Sequence, residues 1–375
     1  MSQVRFRADT TNSFFGNFLY ETVVPKTHFL YRLRHEIPWG TITAPLIGAY
    51  KGGAEYGPTP YHPEKLLRML LVAYLFGISE RRCEAMVNDT LSAKYFVGLG
   101  VDELPPDHST LTVFKQRIME QKGVGIWEKL FTKTIRIAKK KGITFGTLQL
   151  IDSTHTTANV NQDKDRDRQA TGQLPRDRQA SYKIKGAKTA TTKSGQRITI
   201  TDRIYGYKSH TSMNQANKLI TNIKVTTARR DDGKQFICLV KKDQRSGVTQ
   251  ATTDIAKTNT AYGADKGYDQ GDNHYYLKVH HLYNAISLKK TRTQPLWLKM
   301  RVDPYYQHLT KLRGQIEAKF GEEKLHHRFS RCRYLGLSNY KIQAYITAMV
   351  VNLKRILSLT NPISPPLAPA LYLSA

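Results

Sequence analysis

Hydrophobic positions recur with helical spacing from about residue 60 to 145 and with strand-like spacing after that. The first pattern predicts a helix over "EKLLRMLLVAYLFG", with Pro63 in its first turn and a stop at Gly77. Ser79 offers an N-cap to "ERRCEAMVNDTL", and Asp107 or Ser109 does so for the helix in "PPDHSTLTVFKQRI". Three short helices with tight turns fit a helix-turn-helix DNA reader or a bundle that only packs, and spacing does not choose between them. Beyond residue 145 the strand-like runs are "TLQLIDSTHT" (147–156), "RITITDRIYGY" (197–207), "ITNIKVTTA" (220–228) and "TAYGADKGY" (260–268). Helical segments near 233–258 and after Asp269 alternate with them, which implies an α/β sheet. A long helix opened by Pro304 carries the apolar stripe Leu309, Leu312, Ile316 and Phe320, and an amphipathic helix over about 338–358 precedes a Pro-rich tail.

Residues 161 to 200 break these patterns. The stretch is dense in Lys, Arg and Asp and poor in large apolar side chains, so it reads as a segment unable to bury enough surface to fold by itself. It is either a solvated loop or a basic arm that orders on a phosphate backbone.

Charge narrows the partners. With 58 Lys+Arg against 30 Asp+Glu the net charge is +28, which favours a polyanion, with nucleic acid ahead of an anionic membrane. The longest apolar stretch, Met69 to Ile78, is too short to span a bilayer, and the N-terminus lacks the apolar core of a signal peptide. Cys83, Cys238 and Cys332 are far apart and form no C-x-x-C pair, so neither a disulfide framework nor a zinc site is indicated. A cytosolic protein is the default expectation.

The candidate chemistry sits at strand ends. The apolar run through Leu148, Leu150 and Ile151 stops at the carboxylate of Asp152, and a second run narrowed by Gly263 and Ala264 stops at Asp265. A carboxylate so placed is costly without a cap, a cation or a metal ion beside it. On the late helix Arg313, Glu317, Gly321 and Lys324 fall at i, i+4, i+8 and i+11, along one face beside the apolar stripe. Taken singly, each acid has an ordinary alternative as a turn cap or helix ion pair. Together, three carboxylates from two strands and a helix are what a pair of hard divalent ions needs while leaving room for a phosphate.

In order along the chain, "LIDST" with Asp152, "YGYKSH" (205–210), "ADKGYD" with Asp265, and R-x3-E-x6-K as Arg313, Glu317 and Lys324 resemble the DDE transposases of bacterial insertion sequences. The segments "YHPEKLLRMLLVAYLFGISERRCE" and "PPDHSTLTVFKQR" resemble the helical N-terminal domain of that family. The resemblance spans about residues 15 to 355. It implies an α/β, RNase H-like mixed sheet flanked by helices over residues 145–358, interrupted by the basic insertion at about 161–200. An all-α DNA-binding domain at 1–140 would precede it, and a flexible tail at 359–375 would follow. Asp152, Asp265 and Glu317 would be the catalytic and metal-holding triad, with two Mg²⁺ ions for which Mn²⁺ substitutes. Arg313 and Lys324 would bind DNA phosphate, and Lys208 and His210 are further candidates for DNA contact, although such residues more often stabilise a fold. The expected activity is cleavage at the ends of the protein's own element and joining of the 3′ ends to target DNA, in the bacterial cytoplasm at the nucleoid. The partners would be double-stranded DNA, as terminal inverted repeats and target, and a second copy of the chain when element ends are paired. The rivals are an inactive DNA-binding derivative and an RNase H-like nuclease that only cleaves. One position departs from the family pattern: Thr310 stands where the late-helix signature often has Tyr. Trp297, on the connection to that helix, is read as a core residue or a platform for an unpaired base.

Overall fold

The computed structural model describes residues 6–7, 14–50, 59–191, 197–249 and 259–360. Among them, the residues up to Ile143, His326–Arg328 and those from Ile346 onward gather in one unit, and Thr144–Leu325 with Phe329–Tyr345 gather in a second.

The first unit contains α1 (Phe14–Val23), α2 (Phe29–Glu36), α3 (Trp39–Ile47), α4 (Pro63–Leu75), α5 (Glu80–Asp89), α6 (Leu91–Val97), α7 (His108–Lys122) and α8 (Gly125–Lys140). Pro63 opens α4 as its spacing predicts, and every residue from Leu66 to Leu75 is buried. A helix apolar on all sides must be enclosed, and α4 packs against α3, α5, α6 and α7. Ser79 caps α5 by accepting the Arg82 N–H (3.2 Å), and Asp107, not Ser109, caps α7 by accepting the Ser109 N–H (2.6 Å). The helices α1 to α3 carry no signal that the sequence reading used. The expected tail lies largely outside the described residues.

The second unit contains β1 (Leu148–Thr157), α9 (Gln162–Ala170), β2 (Ser181–Thr191), β3 (Arg197–Asn214), β4 (Ile220–Thr227), α10 (Phe236–Arg245), β5 (Ala261–Ala264), α11 (Gly271–Val279) and β6 (Tyr283–Ile286). It continues with α12 (Pro295–Val302), α13 (Pro304–Leu312) and α14 (Gln315–His327), whose last residues belong to the first unit. The final helix α15 (Leu337–Thr360) starts in the second unit and passes to the first at Ile346. The sheet runs β3, β1, β5, β6, with β2 and β4 paired to different halves of the long β3. β1 is antiparallel to β3 and parallel to β5, and β5 is parallel to β6. Three antiparallel strands continued by two parallel ones, β4-β3-β1-β5-β6, is the RNase H-like order, with β2 added at the outer half of β3.

Each face of the sheet is covered. Leu148 and Leu150 of β1 pack with Leu309, Ile316 and Phe320, so the predicted stripe of the late helix does reach the core. Ile151 points the other way, into a cluster with Phe236 and Leu239 of α10, Tyr262, Tyr268 and Leu277. This alternation is the two-residue period of a strand, with both faces buried as parallel pairing requires. At Gly206 β3 passes so close to β1 that a Cβ would lie 2.1 Å from the carbonyl oxygen of Thr156. Only glycine fits there.

Two expectations need correction. The segment 161–200 is not a structureless loop where it is described: α9 has an Asn161 N-cap, and β2 pairs with β3 from Ser181 to Thr191. Its anchor is polar. The buried Asp177 accepts the Tyr207 hydroxyl (2.7 and 2.8 Å to its two oxygens) and the Gly336 N–H (3.1 Å), and its carbonyl accepts the Tyr205 hydroxyl (2.6 Å). Composition alone misses stabilisation of this kind, because the energy lies in pairing to residues far along the chain. The late helix is also not continuous. It breaks at Arg313–Gly314 into α13 and α14, where glycine weakens the helix; Gly321 carries the same weakness but stays helical between the buried Phe320 and Glu323.

Candidate active site

The parallel register of β1 and β5 ends at Ile151 opposite Ala264. The next residue on each is an acid: Asp265 follows the end of β5, whereas Asp152 is not at a strand end as the sequence suggested but mid-strand, because β1 runs on to Thr157 paired with β3. The two acids thus flank the C-terminal edge of the parallel pairing, where open α/β sheets place their ligands. Asp265 also shapes its own turn: its Oδ1 accepts the Gly267 N–H (2.8 Å) and caps the 3₁₀ turn Lys266–Tyr268. Asp152 accepts the Ser153 N–H (2.7 Å). Burial raises the pKa of Asp152 to about 7, with further upward pressure from the neighbouring Asp265 and Asp232 and a downward pull from Arg313 and the Ser153 N–H. Glu317 stands in the first turn of α14, largely exposed, with Arg313 3.7 Å away.

These acids do not close into a tight cluster. Among the described residues, three possible ligand atoms come within 4.8 Å of one another at Glu84, Asp107 and His108, in the first unit. That group is satisfied internally: Asp107 caps α7, and Glu84 accepts both the backbone N–H and the ring nitrogen of His108 (2.8 and 2.7 Å). At Asp152 the situation differs, because a largely buried carboxylate is held beside the like charges of Asp265 and Asp232, with the Arg313 guanidinium pulling the other way. A donor set of hard carboxylate oxygens fits divalent cations such as Mg²⁺.

The remaining sequence candidates divide. Arg313 caps the end of α13 next to Glu317, and Lys324 lies on α14 two turns beyond that acid, only partly exposed. Gly321 has open space where a Cβ would stand. Lys208 and His210 are corrected: both are 0 % exposed in the middle of β3, turned toward Asp232 and Thr226, so neither can touch a DNA backbone lying on the surface. Burial drives the His210 pKa down to about 3, leaving the ring neutral. Asp269 does not cap α11, whose N-cap is Gln270. It is buried and accepts from His274 (2.8 Å), the Lys289 N–H (2.7 Å) and Arg292 (2.9 Å), holding the loop between β6 and α12. Trp297 packs there against His274 (4.7 Å between rings) and Arg292 (5.3 Å). Of the tyrosines near Thr310, Tyr306 is buried and its hydroxyl donates to the Ile286 carbonyl (2.9 Å), whereas Tyr305 is exposed beside Tyr283.

One acid beside the site is not among the sequence candidates. Asp232 lies just after β4 and touches the residue that follows Asp152: its Oδ1 accepts Ser153 Oγ (2.9 Å) and Lys208 Nζ (2.9 Å). The available signal was a third acid just past a strand, in the doublet Asp231–Asp232.

The fold is that of an RNase H-like α/β protein, with Asp152 and Asp265 just past the last parallel pairing of its central strands β1 and β5. Residues 144–353, more than half of the chain, match the family described as "Transposase DDE domain", and residues 18–117 match "Transposase domain (DUF772)". The chain therefore belongs to the DDE transposase family. A curated relative, the "Transposase for insertion sequence element IS1106" of Neisseria meningitidis serogroup B, is 31% identical over 161 residues. That match covers 43% of this chain and about half (49%) of the relative. Among solved structures, the piggyBac transposase synaptic complex with hairpin DNA aligns at TM-score 0.39 and 11% identity, covering 96% of this chain and 78% of that one. The Mos1 transposase paired-end complex aligns at TM-score 0.20 and 9% identity, covering 73% and 83%. Both scores are low, and the fold assignment stands on the strand order. No helix among the described residues is long and apolar enough to cross a membrane.

Proposed function

We propose that this protein is a metal-dependent transposase that cuts double-stranded DNA at the terminal repeats of its own element and joins the freed 3′ ends to target DNA, working as a homodimer on paired ends. The observation that carries the reading is the register of β1 and β5, which sets Asp152 and Asp265 side by side next to the helix that bears Glu317. The net charge of +28 supports a polyanionic substrate.

Asp152, Asp265 and Glu317 would hold the divalent ions. Bound there, two such ions activate the attacking oxygen and stabilise the leaving one in an in-line phosphoryl displacement. Arg313 stands beside Glu317 and its charge already reaches Asp152, so it is placed to steady the phosphate that enters between them. Lys324 adds positive charge farther along α14. The Asp265 cap fixes the orientation of that carboxylate before any ligand arrives, since one oxygen is tied to the Gly267 N–H and the other is left for chemistry.

The test is strand cleavage and strand transfer by the full chain on a duplex carrying the element's end, with Mg²⁺, with Mn²⁺ and with neither. Metal-dependent nicking followed by joined product is expected. Specific binding with no cut under any metal would replace the reading with that of an inactive DNA-binding derivative, and cutting without joined product would replace it with that of a nuclease.

A further inference from the structure

On the face of the sheet opposite Asp152 lies a polar assembly around the partly buried Asp232. Cross-strand register pairs Ser153 with His210 and His155 with Lys208, so these side chains share one face of the β1–β3 ladder, and successive residues of a strand point to opposite faces. Lys208 is 0 % exposed, and its ammonium donates to Asp232 Oδ1 (2.9 Å) and to the Arg230 carbonyl (3.1 Å). The same Oδ1 accepts the Ser153 hydroxyl (2.9 Å) and lies 3.4 Å from His210 Nδ1. The second acid is connected as well. Tyr268, three residues after Asp265, is fully buried, and its hydroxyl lies next to Ser153 without a hydrogen bond of regular geometry, within electrostatic reach of Asp152, Asp232 and Asp265. Ser153, which follows the first acid, and Tyr268, which closes the turn capped by the second, thus meet at one place, and Asp232 grips it.

A buried lysine is an expensive way to stabilise a sheet, because desolvating the pair offsets most of the attraction and an apolar pair of equal size would serve as well. Its position gives it a purpose. We propose that Asp232 is a positioning residue, which with Lys208 holds Ser153, and through it the part of β1 just past its pairing with β5, so that Asp152 meets Asp265 at the separation shared cations require. This rests on the metal-site reading above. Asp232 is assigned to positioning and not to the ligand set because its contacts with Lys208 and Ser153 lie on the side of the sheet away from the Asp152 side chain.

The experiment uses the full chain and Mn²⁺ alone, without DNA, with free Mn²⁺ followed by electron paramagnetic resonance and secondary structure by circular dichroism. The set is wild type, Asp232→Asn, Ser153→Ala and Asp265→Ala. Removing a residue that orients a metal ligand typically weakens affinity by about ten- to a hundredfold. Asp232→Asn is expected to fall in that range with its circular dichroism unchanged, Ser153→Ala to weaken binding in the same direction by less, and Asp265→Ala to lose the site. Should Asp232→Asn leave Lys208 uncompensated and fail to fold, Ser153→Ala decides, since it removes one hydroxyl and no charge. Wild-type affinity in Ser153→Ala together with wild-type affinity or misfolding in Asp232→Asn overturns the positioning role, and so does a loss in folded Asp232→Asn as complete as that of Asp265→Ala, which would make Asp232 a ligand. If wild type itself binds no Mn²⁺, the metal-site reading falls, and the inference with it.

Discussion

Asp152 and Asp265 occupy matching positions of two parallel strands, each one residue past the last paired positions, Ile151 and Ala264. Because the strands share register up to that pair, the backbones that lead to the two acids start one strand spacing apart, about 4.8 Å, and the turn capped by Asp265 then orients its carboxylate.

The triad should therefore behave as a unit. Asp152→Asn, Asp265→Asn and Glu317→Gln are each expected to reduce divalent-dependent cleavage of an end-sequence duplex by several orders of magnitude, and by similar factors, with DNA binding retained. Single-turnover cleavage and a mobility-shift assay on the same samples check this. A variant that cuts at near wild-type rate removes that residue from the site.

Asp269→Ala should act on stability instead. Its carboxylate is 0 % exposed and is shared by His274, Arg292 and the Lys289 N–H, so truncation strands buried donors and should cost about 3 kcal/mol in urea unfolding. Residual cleavage is expected from the folded fraction. An unchanged unfolding midpoint would show that the loop before α12 is held by other contacts.

Glu323, inside α14, predicts a pH effect of definite sign. It is fully buried, its Oε2 has no hydrogen-bond partner, and burial lifts its pKa from 4.5 to about 8. The folded state then binds the proton more tightly than the unfolded chain, so this group's contribution is fully present below pH 4.5 and is lost as pH rises toward about 8. Glu323→Gln should melt close to wild type at pH 5 and above it at pH 9. Thermal unfolding across that range measures the difference, and parallel curves would refute it.

The insertion should prove structural. Asp177→Ala leaves the buried hydroxyl of Tyr207 unpartnered and frees the Gly336 N–H, at a cost of about 2 kcal/mol. Removal of 161–180 should lower the melting temperature for the same reason. Full retention of stability by the deletion would restore the picture of a dispensable basic arm.

What the sequence shows, and what it hides, divides along one physical line. The two acids are visible because an apolar run that stops at a carboxylate is a local signal, but only Asp265 ends its strand: β1 continues through the polar residues Asp152–Thr157, held by pairing with β3 that no local pattern shows. The stripe from Leu309 to Phe320 is visible because its period survives even the break at Gly314. The caps at Ser79 and Asp107 are local too. Lys208 and His210 mislead because β3 is covered on both sides, so the polar run Lys208 to Ser212 is buried although its composition reads as exposed. The role of Asp232 depends on Ser153 and Lys208, its partners from other strands, and no spacing rule connects them. The short strand β6 and the exposed helix α12 carry too few residues for a periodic pattern to show.

The order of the strands along the chain also sets a schedule for synthesis. β1, β3 and β4 form an antiparallel group from one continuous stretch, yet the other edge of β1, at Leu148–Ile151, gains its partner only when β5 emerges. During that interval a growing chain displays an apolar strand with unpaired N–H and C=O groups, the kind of edge that captures other strands. The residues that bring Asp152 and Asp265 together thus present an open edge until β5 has been made, and slower growth or a chaperone that shields nascent strands should raise the soluble yield of this protein.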